Sequence, residues 1–147
     1  MSQSTTQRVV WASAAYDFLV TFAFSTPWTA LGVADALRSL HDGLGLSGHP
    51  PDLSAPLSLL FANLLGTLVC VWSIVRMRAP TREHGLADSA TRILFAGWMT
   101  YALVHGASTV VAFFLTAELG WAVIQGAAVL PRRHSGSVPL KTLSRES

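Results

Sequence analysis

The chain has 147 residues, of which 51% are hydrophobic and only 12% are Asp, Glu, Lys or Arg, with a net charge of +2. Soluble domains carry about a quarter of their residues as charges, so roughly half the expected charge is missing, which excludes an ordinary soluble domain. The basic residues stand at the edges of apolar blocks rather than in an aromatic-interleaved stripe, which argues against nucleic acid as a partner. A single cysteine, Cys70, cannot form a disulfide or a cysteine metal site within one chain.

Residues 9–26 form the first apolar block, interrupted by one charge, Asp17. It ends at Ser25-Thr26-Pro27, a helix stop followed by a new N-cap with proline at the first helical position. Ala23-Phe24-Ser25 has the look of a signal-peptidase site, but one preceding Arg and an internal Asp argue against cleavage. Residues 28–41 then turn amphipathic, with Leu31, Ala34 and Leu37 opposed to Asp35 and Arg38, and predict a short helix at the membrane surface. Residues 42–55 are rich in Gly, Pro and Asp and read as a loop.

Pro56 opens a second block, 57–75, closed by Arg76 and Arg78. A third runs over 86–105, with Asp88 and Arg92 near its start, and Gly106 divides it from a fourth at 107–130, closed by Pro131-Arg132-Arg133. Each is near the ~20 residues needed to cross a hydrocarbon core. The last two are joined so tightly that they must form an antiparallel hairpin. The expected fold is thus an all-α membrane protein: one four-helix transmembrane bundle over 1–131, with a short interfacial helix between spans one and two. Residues 132–147 read as a polar, basic, disordered cytoplasmic tail. With both termini cytoplasmic, nine of the ten Lys and Arg fall on that side and only Arg38 opposite, so a multi-pass protein of the cell inner membrane is expected.

Ionisable side chains within a span cost several kcal/mol unless paired or hydrated, which makes each a functional candidate. Asp17, Arg92, His105 and Glu118 qualify. At 1.5 Å per residue Asp17 lies about 12 Å in from the cytoplasmic end of its span and Glu118 roughly 16 Å in from the outer end of the fourth, both near the midplane. Arg92 sits about 9 Å from the cytoplasmic face, and His105 close to the outer one. Helical spacing extends these points into stripes that must face the bundle interior: Ser13, Asp17, Thr21 and Ser25; Asn63, Gly66, Thr67, Cys70 and Ser73; Trp98, Tyr101 and His105; Glu118, Trp121 and Gln125.

The candidate ligand-binding residues are therefore Asp17, Glu118, Asn63, Arg92, Tyr101, His105 and Trp121. A structural reading stands beside the functional one. Asp17 can simply pair with Arg92, Arg92 can instead snorkel to headgroups, Glu118 can be held neutral against a carbonyl or Asn63, and small-residue stripes serve close packing. Two acids facing one arginine would still leave one acid without a cation. Trp28 suits the outer interface, while Trp72 and Trp98 suit packing or a ligand. His41, His49 and His105 lack metal-ligand spacing, and no catalytic, phosphate-binding or cofactor motif occurs, so neither metal nor cofactor is expected.

Three functions remain open from sequence. The first is binding or transport of a hydrophobic or cationic small molecule in a buried acidic pocket. The second is a structural or assembly subunit, as a homodimer or with a partner membrane protein. The third is an intramembrane enzyme with Asp17 and Glu118 as acid and base.

Overall fold

The computed structural model describes residues 3–130. The predicted tail, 132–147, lies outside the described residues. Five helices follow in chain order: α1 (Gln3–Thr21), α2 (Pro27–Gly43), α3 (Pro56–Arg78), α4 (Arg82–Val104) and α5 (Val111–Val129), with a 3-10 turn at Phe22–Ser25 after α1.

The chain turns by 105° between α1 with its 3-10 extension and α2. Proline supplies the cause. Pro27 pushes Thr26 out of the helical region, to φ −129° and ψ 149°, and lacks the N–H that would continue the helix. Thr26 then caps α2 by accepting the Thr29 backbone N–H. α2 buries only Ala30, Ala34 and His41, and its outer face carries Asp35 paired to Arg38 at 3.1 Å.

The loop that follows is stitched to the turn between α4 and α5. His49 N donates to Gly106 O and Ser108 N donates to His49 O, both at 2.8 Å. His41 Nδ1 and Ser108 Oγ are 2.7 Å apart beneath it. That turn needs Gly106 at φ +91°, and α5 starts only at Val111 because 107–110 are spent in it. At the opposite end Arg82 Nε donates to Val129 O and Thr6 Oγ1 to Ala128 O, holding the end of α5.

α1 is the central element, packed on α3 and α5 and touching α4, while α4 and α5 form the tight antiparallel hairpin expected from their short connection. α3 and α4, consecutive in sequence, scarcely touch each other. Gly66 lets α3 close on the 3-10 turn: a Cβ there would stand 2.7 Å from the backbone of Phe24. Gly85 does the same for α4 against Val10 and Val129.

The distribution of side chains is inverted relative to a soluble bundle. The buried apolar residues are mostly small, such as Ala14, Ala30, Ala96 and Ala128, whereas Leu, Phe and Trp crowd the outside, for example Leu60, Phe61, Leu64 and Leu68 along α3. Helices that associate in lipid approach through small residues and present large apolar ones to the acyl chains. α3 and α5 are each long and apolar enough to cross a bilayer, and the bent α1–α2 pair makes a third if it counts as one span. α4 is long enough, at 23 residues, but its Asp88 and Arg92 depress its hydropathy. Both of those side chains are buried inside the bundle.

Candidate functional site: a charged cluster at the base of an apolar cavity

Two arginines and three acids, drawn from four helices, meet in the interior. Asp17 comes from α1, Arg76 from α3, Asp88 and Arg92 from α4, and Glu118 from α5. Local spacing assembles the parts. Ser13 and Asp17 are one helical turn apart, as are Asp88 and Arg92, and Ser73 and Arg76 are three residues apart, so each pair shares a face.

Arg92 is almost fully enclosed, and all three of its guanidinium nitrogens are engaged. Nη2 donates to both oxygens of Asp17 at 2.7 Å and to Ser13 Oγ at 2.9 Å. Nη1 donates to Glu118 Oε2 at 2.7 Å, and Nε to Asp88 Oδ2 at 3.1 Å. Arg76, with no accessible surface, donates through Nη2 to Asp17 Oδ2 and pairs through Nη1 with Asp88 Oδ2 at 2.6 Å. Its Nε is buried without a partner among the described residues. Ser13 donates to Gln125 Oε1 at 2.6 Å, and Gln125 Nε2 donates to the Gly85 carbonyl at 3.0 Å, tying the cluster to the α4 backbone. The guanidinium of Arg76 lies 5.7 Å from the ring centre of Trp72, and that of Arg92 lies 5.9 Å from that of Trp121. Such contacts favour a cation over the ring face.

The cluster forms one end of a half-open cavity of about 420 Å³. Its lining comes from α1, α3, α4 and, through Phe114 and Glu118, α5, with most of it from α3 and α4, which scarcely touch each other. Away from the charges its lining is apolar and aromatic, including Phe24, Val69, Trp72, Phe95, Trp98 and Phe114. Leu65 and Trp98, both exposed, stand at its rim.

Of the sequence candidates, Asp17, Arg92 and Glu118 line this cavity. Trp121 stands behind them, against Arg92 and 5.6 Å from the ring of Tyr16. Asn63 is placed elsewhere, its Nδ2 donating to the Phe24 carbonyl at 2.8 Å, where it fastens α3 to the end of the first helical segment. Tyr101 and His105 stack on each other at 3.9 Å on the exposed face of α4 and are not part of the lining. Arg92 points inward to the cluster rather than snorkelling to headgroups, and Glu118 meets Arg92 rather than Asn63.

Arg76 and Asp88 were not among the candidates. Both lie near the ends of their apolar blocks, where charges usually belong to headgroups. A signal was present all the same: Arg76 continues the Gly66, Cys70 and Ser73 stripe by three residues, and Asp88 stands four before Arg92. The histidines, for their part, are dispersed. Among the described residues no three His, Cys, Asp or Glu side chains are grouped to hold a metal ion.

No protein-family model matches this chain, and neither a curated protein nor a solved structure does.

Proposed function

We propose that the chain is a four-span protein of the cell inner membrane that binds, or carries across the bilayer, a hydrophobic or cationic small molecule in the cavity between α3 and α4. In this reading α1, α3, α4 and α5 all cross, and α2 lies on the outer surface. α4 tolerates its charges because they are paired inside the bundle, which removes the cost of facing lipid. The termini are cytoplasmic. With Arg76 and Arg92 turned inward, the bias rests on Arg8, Arg78 and Arg82, together with the basic residues of 132–147, against Arg38 alone on the other side.

One observation carries the functional reading: an apolar cavity that ends on buried charge. Its volume falls within the few hundred to a thousand Å³ common for small-molecule sites, which pair an apolar lining with a few convergent polar groups. A purely adhesive cluster would need no such space beside it.

The reading is tested by native mass spectrometry of the detergent-purified protein, comparing wild type with Val69→Trp, which fills the cavity from α3. A species of defined mass held by wild type and missing from a folded Val69→Trp is the expected result. No bound species in either, together with no saturable uptake of a hydrophobic amine, alcohol or acid, would favour the assembly reading. That alternative draws on the fact that the ion cluster joins four helices at one point.

A further inference from the structure

The cluster is lopsided in a way that bears on the ligand. Three carboxylates face two guanidinium groups, leaving one negative charge in excess when all are ionised. The guanidinium donors are largely committed. Every nitrogen of Arg92 already donates to the protein, as do Nη1 and Nη2 of Arg76. The remaining nitrogen, Arg76 Nε, is buried without a partner among the described residues and has no exposure. An anionic head would therefore have to displace a carboxylate to reach an accessible guanidinium nitrogen.

Acceptors, by contrast, are left over. Among the described residues Glu118 Oε1 and Asp88 Oδ1 receive no hydrogen bond, although their sister oxygens are held by arginine. Both residues line the cavity, and Asp88 is almost fully buried. Aromatic faces complete the wall around them, from Tyr16, Trp72 and Phe95. Carboxylate oxygens without donors, beside aromatic rings, suit a group that brings both positive charge and N–H donors.

The way in follows from helix packing. With α1 closing the back, the open side of the cavity faces outward between α3 and α4, flanked by the large apolar side chains that cover α3. In the four-span reading that side faces acyl chains rather than water.

We infer that the ligand is a lipophilic amine in its protonated form, which enters sideways from the bilayer between α3 and α4 and sets its ammonium against Glu118 Oε1. Asp88 Oδ1 is the second acceptor, and the apolar body of the molecule lies along Val69, Phe95 and Trp98. This inference rests on the proposed binding function and specifies its ligand class.

The test uses the full-length protein in phosphatidylcholine nanodiscs and three probes of one shape: 4-phenylbutylamine, 4-phenylbutanol and 4-phenylbutanoate. Binding is followed by tryptophan fluorescence and corrected against empty nanodiscs. The amine binds about tenfold or more tighter than the alcohol, the gain expected of a charge-assisted hydrogen bond, and the carboxylate binds weakest. Glu118→Gln removes most of that preference for the amine over the alcohol. The ranking of the three probes on wild type needs no variant, so a misfolded Glu118→Gln does not spoil the test. Equal binding of amine and alcohol, or tightest binding of the carboxylate, overturns the inference, and a Val69→Trp-sensitive site for either would still leave the pocket standing. Saturable binding of none of the three overturns the inference and the binding function together.

Discussion

Asp17→Asn probes the centre of the cluster. Asp17, like Asp88, is shared by both arginines, and it takes Arg76 Nη2 on one oxygen and Arg92 Nη2 on both. The carboxamide offers one acceptor in place of two and turns an N–H₂ toward a guanidinium, so at least one buried donor loses its partner. Breaking a buried ion pair by removing one member costs about 3–5 kcal/mol, because the remaining charge stays desolvated. Glu118→Gln is the control within the same cluster. Glu118 makes one bond to Arg92, which keeps Asp17, Asp88 and Ser13, so the expected loss is only about 0.5–1.5 kcal/mol. Reversible unfolding in mixed micelles with rising dodecyl sulfate, read by tryptophan fluorescence, measures both. Adding Arg76→Met to Asp17→Asn should return about 1–3 kcal/mol, since cation and anion then leave together. A larger loss for Glu118→Gln than for Asp17→Asn would refute this account of which acid holds the bundle together.

Three other outcomes can be checked directly. Gly66→Ala should cost about 1–3 kcal/mol in the same unfolding assay, as its Cβ collides with the backbone of Phe24 rather than with a yielding side chain; an unchanged midpoint would mean the α3 contact is looser than described. Ser108→Ala removes the partner of a buried histidine nitrogen, at about 1–3 kcal/mol, and should speed exchange of the His49 amide and of the substituted residue's own amide, whereas full protection would show that the loop is held by other means. Asp52 accepts the Ser54 backbone N–H at 2.8 Å, and that bond holds its carboxyl below the ordinary aspartate range. Its contribution to stability is thus present above the ordinary aspartate pKa and lost as pH falls through the depressed value. A carbon-13 titration of Asp52 at or above the ordinary value would contradict it.

Much of the architecture was legible in the chain because bilayer and backbone physics act locally. The break at Ser25-Thr26-Pro27, the helix after it, the helix opened by Pro56 and the hairpin around Gly106 each follow from a few adjacent residues and appear where they were expected. Asp17, Arg92 and Glu118 were likewise visible as charges stranded in apolar runs. Periodicity says which face of a helix a residue occupies, but not which helix stands opposite. Only the tertiary structure decided that Arg76 leaves the helix end to join Asp17, and that Asn63 serves a backbone carbonyl. It also decided that Tyr101 and His105 face away from the cavity, and that α3 and α4 stand apart to leave room for one. The physical reason is that a buried charge takes its partners from whatever helix packing brings within reach, and that packing depends on small residues such as Gly66 and Gly85 that let helices from distant parts of the chain close on one another.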